Sequence, residues 1–315
     1  MAELPVNPNS IVAKIYEYYE TKAGTSHGRA HLGASEIGKD CGRSLWYNFR
    51  WVSWVKFSGR LLRLFETGQL AEERLGSALQ AVGLEVHLVN SDGKQFSFQE
   101  FGGHFSGSMD GCALGAFAAP KTWHVLEFKT HNAKSFATLL SKGVESAKPE
   151  HYAQMQMYMH FTGMTRALYI AENKDTSEVY EERVRYDAAL AIQLVAKAKR
   201  VVFSPTPPKK IADSASSFHC KWCPQSSVCH SGEMPRMNCR TCLHSTPRED
   251  GTWFCEKWKK ALDMHTQRTG CEEHLWIPDL IPMTQTDATA RSVEYRDING
   301  SKWVNLPGGR LENAA

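Results

Sequence analysis

The feature that most constrains the fold is an apolar run rich in strand formers, His124-Val-Leu-Glu-Phe-Lys-Thr, which contains two charged residues. Glu127 and Lys129 are two positions apart, so on a β-strand both side chains project from the same face. A second run of alternating residues ends at Asp110, within the loop Gly107-Ser-Met-Asp-Gly. The sequence therefore predicts two carboxylates and one ammonium group that converge on neighbouring strands.

These three groups have the chemistry needed to hydrolyse a phosphodiester. Carboxylates suit a hard divalent ion such as Mg²⁺, which needs only one or two protein oxygens besides water and substrate phosphates. A lysine beside them can hold or deprotonate the attacking water, or stabilise the developing negative charge. The alternative interpretation is a solvated turn aspartate and a strand with two outward charges. The short pattern alone does not separate the two.

The order of motifs along the chain distinguishes better between a hydrolytic site and solvated surface charges. Asp110, followed after sixteen residues by Glu127-x-Lys129, resembles the core of the PD-(D/E)XK nucleases. Gln154-x-x-x-Tyr158, which comes after that strand, resembles the third motif of RecB-type and lambda-exonuclease-like nucleases. We expect this third motif on a helix, because Pro149 and Glu150 suit a first helical turn.

An earlier helix completes the resemblance. Glu72 lies four residues after Gly68 on a predicted amphipathic helix over residues 61–79, where these families often have a further carboxylate. Gln69 stands where related sequences commonly have histidine, so a histidine ligand is not carried over. The resemblance implies these roles: one or two Mg²⁺ or Mn²⁺ ions bound by Asp110, Glu127, Glu72 and the Phe128 carbonyl, a water positioned by Lys129, and the scissile phosphate or the lysine held by Gln154 and Tyr158.

The predicted elements indicate an α/β fold. Strands over 84–89, 96–101 and 104–114 are followed by the Glu127 strand, a helix, a hairpin over 168–186 and a helix from Asp187 to Val202. This order predicts a mixed sheet flanked by helices, and the resemblance implies the restriction-endonuclease-like version of it. A hairpin on Asn299-Gly300 and a flexible tail are expected at the end.

Composition limits the partners and the location. The 315 residues include 37 basic and 34 acidic side chains, so nucleic-acid contacts must come from local clustering of charge. No apolar run is long enough to span a bilayer, and Met1-Ala-Glu-Leu-Pro lacks the pattern of a signal peptide. We expect a cytoplasmic protein without membrane contact, in the host cell's cytoplasm if a phage encodes it.

Nine cysteines in such a compartment indicate metal sites rather than disulfides. Cys220, Cys223 and Cys229 are one thiolate short of a tetrahedral set. In RecB- and AddB-type nucleases and related CRISPR adaptation nucleases, one cysteine before the core and three after it hold a [4Fe-4S] cluster. Cys41, followed by Arg43, resembles that arrangement. The resemblance favours the cluster, and zinc remains the alternative because either metal accepts such ligands.

A second group fits zinc. Cys239-x2-Cys242-x12-Cys255-x15-Cys271 has the paired start of a four-cysteine zinc module, with His274 and His244 as spare donors. Whether this module contacts DNA is open at this stage, although Lys257, Lys259, Lys260 and Arg268 are available for phosphates. Cys112 is left over, and we expect it in the core.

Together these patterns predict a metal-dependent DNA exonuclease of phage recombination or DNA processing, resembling RecB, AddB and YqaJ relatives. Its partners would be single- or double-stranded DNA ends and a single-strand annealing or other recombination protein. The alternatives are a non-catalytic nucleic-acid-binding adaptor and an endonuclease acting in a complex. The expected divisions are a nuclease core over 1–212, an iron–sulfur segment over 213–235, a zinc module over 236–280, and a hairpin and tail over 281–315.

Overall fold

The computed structural model describes residues 10–24, 28–53 and 55–314, so the pattern over residues 1–5 lies outside the described residues. The helices are α1 Ile11–Ala23, α2 Gly42–Phe49, α3 Gly59–Ala81, α4 Ala133–Ala147, α5 Pro149–Thr162, α6 Ala188–Phe203, α7 Ser226–His230 and α8 Met264–Thr269. The strands are β1 Leu32–Gly33, β2 Glu85–His87, β3 Ser97–Glu100, β4 Phe105–Ser108, β5 Gly111–Leu114, β6 His124–His131, β7 Arg166–Asn173, β8 Val179–Arg185, β9 Ser245–Pro247, β10 Trp253–Cys255, β11 Lys260–Leu262, β12 Thr284–Ala288, β13 Val293–Arg296, β14 Lys302–Leu306 and β15 Arg310–Asn313.

The chain forms two compact units, each built from separate stretches of sequence. Among the described residues, the first unit takes 10–24, 55–98 and 107–191, and the second takes 28–53, 99–106 and 192–314. Residues 28–53 and 192–212 are therefore grouped with the cysteine-rich C-terminal part. The functional divisions expected at 212, 235 and 280 stay predictions.

A five-stranded mixed sheet is the centre of the first unit, which confirms the predicted α/β class. Its strand order is β2-β5-β6-β7-β8. β6 and β7 are parallel, and the other neighbouring pairs are antiparallel. The parallel pair requires a crossover, which α4 and α5 provide. The expected hairpin at 168–186 is present as β7 and β8.

One face of this sheet is apolar and packs against α3. Phe128 of β6, Ile170 of β7 and Leu75 of α3 belong to one buried cluster. Because side chains alternate along a strand, Glu127 and Lys129 project from the opposite face. The helix expected over 61–79 is confirmed and begins earlier, since the Ser58 hydroxyl accepts the Leu61 amide as an N-cap.

The predicted helix with the third motif is α5. Pro149 occupies its first turn, where the missing amide costs nothing, and Gly163 ends it in the left-handed conformation. The residues of α5 from Ala153 to Met159 are all buried. Burial on every side removes the amphipathic signal, so the hydrophobic pattern of this segment does not by itself identify a helix.

The second unit contains the cysteine-rich region and two small sheets, ordered β9-β10-β11 and β12-β13-β14-β15. The expected hairpin around Asn299-Gly300 is present as β13 and β14. The tail differs from the expectation, because β15 pairs with β14 through a turn at Gly308 and Gly309. Leu311 of β15 packs against the buried cluster of this sheet, which explains the order of the tail.

Two buried arginines hold the core of the second unit. The Arg240 guanidinium lies 3.7 Å from the centroid of the Trp51 ring and 4.7 Å from that of Trp253. The Arg50 guanidinium lies 4.8 Å from Trp46 and 5.2 Å from Trp253. Burial lowers the pKa of Arg50 to about 9 and lowers that of Arg240 too. Contacts with aromatic ring faces and hydrogen bonds to backbone carbonyl oxygens stabilise these two buried cations.

Within residues 10–24, 28–53 and 55–314, no helix combines the length and the hydropathy that crossing a bilayer requires.

Candidate active site and two thiol clusters

Asp110 lies where the chain passes from β4 to β5. The expected single strand over 104–114 is interrupted there, because Met109 and Asp110 leave the extended ladder. Gly111 follows with φ +155°, and a Cβ built on it would stand 2.6 Å from the His87 carbonyl oxygen. Only glycine permits this close approach of β5 to β2. The break turns the Asp110 carboxylate toward β6, where its Oδ2 accepts the Phe128 amide at 2.7 Å.

Lys129 is the centre of the site. Its ammonium group forms an ion pair with the Glu127 carboxylate, lies 3.9 Å from Asp110 Oδ2, and donates to the Phe128 carbonyl at 2.9 Å. These three partners are the oxygens that the sequence assigned to a divalent ion. The lysine thus occupies, as a cation, the position around which the expected metal ligands converge.

Burial makes this group of charges costly. Glu127 is completely buried, and burial raises the pKa of its carboxyl group, with Asp110 adding to the increase and Lys129 opposing it. Burial and the charge of Asp110 raise the pKa of Glu72 to about 7, so Glu72 lies within electrostatic range of Asp110 and Lys129. Burial lowers the pKa of Lys129, but Glu127 and Asp110 outweigh it, and the net pKa is raised.

A divalent cation fits this donor set. Three carboxyl groups and one carbonyl are hard oxygen ligands, and burial raises the pKa of Glu127 and that of Glu72 despite the opposing charge of Lys129. Both Glu127 carboxylate oxygens are buried; Oε1 is paired with the Lys129 ammonium group, and Oε2 has no hydrogen-bond partner in the part of the chain that the structure describes.

Gln154 and Tyr158 contact each other one turn apart on α5. The Gln154 side-chain amide donates to Tyr158 Oη at 2.9 Å, and Tyr158 Oη donates to the Ser108 carbonyl at 2.6 Å. Ser108 lies two residues before Asp110. This contact gives Tyr158 a role absent from the sequence analysis, which is to fix the backbone that presents Asp110.

A buried polar chain beside Lys129 was missed by the sequence analysis. Tyr169 Oη lies 2.9 Å from His131 Nε2 and 2.9 Å from His151 Nδ1. The other ring nitrogen of His131 lies 3.2 Å from Ser135 Oγ, to which Lys148 donates. The helical spacing of His151 with Gln154 was visible in the sequence. Tyr169 was not, because its place opposite Glu127 depends on the parallel pairing of β6 with β7.

The first cysteine group comes together within the second unit. One cavity is lined by the thiols of Cys41, Cys220, Cys223 and Cys229. Burial raises the pKa of the Cys229 thiol, while Arg43 and Lys210 oppose the increase. Arg43 is held by the Pro208 carbonyl at 2.6 Å. Four cysteine side chains around one cavity are a donor set that fits the expected cluster and fits zinc equally.

The second cysteine group also shares one cavity, lined by Cys239, Cys242, Cys255, Cys271, His244 and His274. Burial and the neighbouring thiols raise the pKa of Cys239 to about 12, and burial raises that of Cys242 to about 11. The Trp258 amide donates to Cys255 Sγ at 3.4 Å. Four cysteines that line one cavity are a donor set that fits a thiolate-binding ion such as Zn²⁺.

Neither the carboxylates nor the thiols are already in ligand geometry. Over residues 10–24, 28–53 and 55–314, no three His, Cys, Asp or Glu side chains stand where they could hold a metal ion. Cys112 is buried on β5, which matches the expectation that it belongs to the core.

No family model matches the sequence, and a search of curated proteins finds no match. The chain is similar to a solved structure described as SSO0001, at 14% identity and a TM-score of 0.42, over 71% of this chain and 98% of that one. It is also similar to an alkaline exonuclease, LHK-Exo, from Laribacter hongkongensis, at 15% identity and a TM-score of 0.38, over 59% of this chain and 90% of that one. A structure of LHK-Exo in complex with dAMP gives a TM-score of 0.37 at 15% identity, over 60% and 90% of the two chains. With similarities this low, function has to be argued from the site itself.

Proposed function

We propose that this protein is a metal-dependent nuclease that hydrolyses phosphodiester bonds in DNA. The observation that carries the proposal is the contact of the Lys129 ammonium group with Glu127, Asp110 and the Phe128 carbonyl. Hard oxygen ligands and an amine that meet on adjacent strands are the parts of a metal-assisted hydrolytic site. The motif order Asp110, Glu127-x-Lys129 and Gln154-x3-Tyr158 supports the same class.

In this site a divalent ion would polarise the phosphoryl oxygen and lower the pKa of the attacking water. Asp110, Glu127 and the Phe128 carbonyl would hold the ion, with Glu72 as a further ligand. Lys129, released from the carboxylates, would hold the water and stabilise the charge that develops on phosphorus oxygens. Tyr158 would keep the segment from Ser108 to Asp110 fixed in the sheet.

The finer assignments belong to the same proposal. We take the cavity of Cys41, Cys220, Cys223 and Cys229 as a [4Fe-4S] site and that of Cys239, Cys242, Cys255 and Cys271 as a zinc site. Both would stabilise the second unit, because thiolate ligation closes loops that are distant in sequence. Exonuclease action in phage recombination or DNA processing, together with an annealing protein as partner, rests on the motif resemblance.

A digestion assay tests the activity. Labelled single- and double-stranded DNA is incubated with Mn²⁺ or with EDTA, and we expect cleavage only with the ion. Asp110→Ala and Lys129→Ala should each lower the rate by at least about a hundredfold, while circular dichroism stays unchanged. Asp92→Ala and Lys121→Ala, at exposed positions of the same unit, are the matched controls. Full activity of Asp110→Ala or Lys129→Ala would remove the assignment.

A non-catalytic nucleic-acid-binding adaptor is the rival function. Its support is Gln69, which is exposed on α3 where related sequences commonly have histidine. Binding of labelled DNA without any metal-dependent cleavage would favour it. If cleavage occurs, product lengths separate the two enzyme types, since an exonuclease releases short products from an end and an endonuclease also cuts circular DNA.

A further inference from the structure

Two large aromatic side chains are almost fully exposed in the loop between α6 and α7. Phe218 is 90% exposed and Trp222 is 85% exposed, although only three residues separate them. Single exposed apolar residues are common on protein surfaces, but two large rings this close together usually mark a binding surface. Neither ring takes part in the thiol cavity that the same loop helps to line.

The loop backbone explains why these rings point outward. The Ser217 carbonyl accepts the amides of Cys220 at 3.0 Å and Lys221 at 2.9 Å, and the Cys220 carbonyl accepts the Cys223 amide at 3.0 Å. These tight turns bury the Cys220 side chain. The residues on either side of Cys220 are thereby directed to solvent. Rings presented by such a hydrogen-bonded loop lose little conformational freedom when a ligand stacks on them.

Basic residues outnumber acidic ones in the stretch of sequence that carries the rings. Residues 205–230 contain three lysines, Lys209, Lys210 and Lys221, and a single acidic residue, Asp213. The Lys221 ammonium group lies 5.4 Å from the centroid of the Trp222 ring. His219 lies 3.7 Å from the carboxylate of Asp40, so one further acidic group is present and is already paired. The surface therefore complements a polyanion with flat, exposed faces.

We propose that Phe218 and Trp222 form a stacking platform for the bases of single-stranded nucleic acid, with Lys221 contacting the phosphates. Single strands offer both unstacked bases and regularly spaced phosphates, and aromatic rings interleaved with lysines recognise that combination. A duplex keeps its bases stacked and offers these rings no face. The platform lies in the second unit and does not depend on hydrolysis at the carboxylate site.

Fluorescence anisotropy tests the platform on the full-length protein without added divalent ions, so that no cleavage occurs. The probe is a fluorescein-labelled oligodeoxythymidylate of about 12 nucleotides. Phe218→Ala and Trp222→Ala should each raise the Kd about tenfold, as expected for loss of one stacked base. Ile298→Ala is the matched control, since Ile298 is 99% exposed in the same unit, and it should leave the Kd unchanged.

Conservative variants separate stacking from loop damage. Trp222→Tyr keeps an aromatic face and should bind within about threefold of the wild type, whereas Trp222→Leu keeps apolar bulk and should bind like Trp222→Ala. Lys221→Ala should reduce the slope of log Kd against log salt concentration by about 0.7. All variants are compared at equal iron and zinc content, because two of the thiols lie in this loop.

Three results would overturn the platform. One is a wild-type Kd for the oligonucleotide that equals the Kd of the double variant in which both Phe218 and Trp222 are replaced by Ala. Another is equal affinity of Trp222→Leu and Trp222→Tyr, which would indicate apolar docking of a protein. The third is binding to vesicles of anionic phospholipid that the oligonucleotide does not compete with. Failure of the DNA digestion assay would leave the platform intact, since binding is measured without hydrolysis.

Discussion

At the scale of single residues, Lys129 and Tyr158 have different roles in the candidate active site. Lys129 contacts the expected ion ligands directly, whereas Tyr158 acts through the Ser108 carbonyl on the segment that ends at Asp110. Loss of the Lys129 side chain should therefore slow cleavage but tighten ion binding. Loss of the Tyr158 hydroxyl should instead disturb the placement of the Asp110 carboxylate. Measurements of ion affinity and of cleavage rate can therefore distinguish an ion ligand, a group that competes with the ion, and a residue that positions a ligand.

Removal of the Lys129 charge should tighten ion binding while it abolishes cleavage. The ammonium group occupies the place around which Glu127 and Asp110 converge, so it competes electrostatically with a divalent ion. We expect Lys129→Ala to bind Mn²⁺ at least about tenfold more tightly than the wild type in calorimetric titration. Lys121→Ala should titrate like the wild type. Weaker Mn²⁺ binding by Lys129→Ala would mean that the lysine helps to assemble the ion site.

Tyr158→Phe should keep the fold and slow the reaction. The ring retains its edge contact with Phe98, but the hydrogen bond to the Ser108 carbonyl is lost. We expect a stability loss of about 1 kcal/mol and a fall in kcat of about tenfold. Tyr186→Phe, which removes the bond between Tyr186 Oη and His160 at 2.7 Å, should cost similar stability. Equal kcat for Tyr158→Phe and Tyr186→Phe would show that Tyr158 is only structural.

Much of the geometry of these single residues was predictable, because side chains alternate between the two faces of a β-strand. Two residues on one strand share a face whatever the rest of the chain does, so Glu127-x-Lys129 defined one half of the site. Tyr158 was found by its motif, but its partner was not, because a hydrogen bond to a backbone carbonyl fifty positions away leaves no pattern in sequence.

At the scale of elements, the chain through His131, Tyr169 and His151 ties β6, β7 and α5 together, and it should make the first unit sensitive to acid. Burial lowers the pKa of His151 to about 3, with Lys129, His131 and Lys148 adding to it, and burial lowers the pKa of His131 to about 4. The unfolded chain binds these protons near the ordinary value of 6.5. The free energy of unfolding is therefore complete above pH 6.5 and falls as the pH drops toward 4.

His151→Gln should reduce this acid sensitivity. Between pH 7 and pH 5 the wild type should lose about 2 kcal/mol more than the variant, the amount that one neutral buried histidine contributes over that interval. Urea denaturation at both pH values measures the difference. His87→Gln, at an exposed position in the same unit, should follow the wild type. An identical pH dependence for His151→Gln would show that His151 becomes protonated in the folded protein.

Element boundaries were predictable where capping chemistry is local. Pro149 and Asp187 each begin a helix, as expected from a ring or side chain that suits that position. Ser58 also caps a helix, but that helix was expected to begin only at residue 61. The break at Met109 and the final strand β15 were missed. Both depend on partners distant in sequence, since Gly111 packs against β2 and Leu311 packs into a cluster with Trp276.

At the scale of the whole molecule, the two thiol cavities should behave as independent metal sites. We expect anaerobically purified protein to contain about four irons and one zinc. Cys220→Ser should lose the iron and its visible absorbance but keep zinc, and Cys242→Ser should lose zinc but keep iron. Cys112→Ser, a buried cysteine outside both cavities, should keep both metals. Elemental analysis with absorbance spectra decides the matter, and loss of both metals from either single variant would contradict two separate sites.

Packing between distant stretches of the chain was the least predictable property of the molecule. Each compact unit combines three stretches of sequence, and the Arg50 guanidinium of the early chain lies against the ring of Trp46 and against that of Trp253 in the late chain. Long-range packing of this kind has no local signature, so no window of sequence reveals it.

Because each unit combines distant stretches of the chain, the protein cannot readily be divided by truncation. A truncation after residue 212 would remove Trp253 and Arg240, so the rings of Phe49 and Trp51 would lose these packing partners. Such a fragment would be expected to aggregate for reasons unrelated to catalysis. Shortened versions of the chain would consequently mislead as tests of what either half does, and point substitutions in the intact polypeptide are the sounder genetic tool.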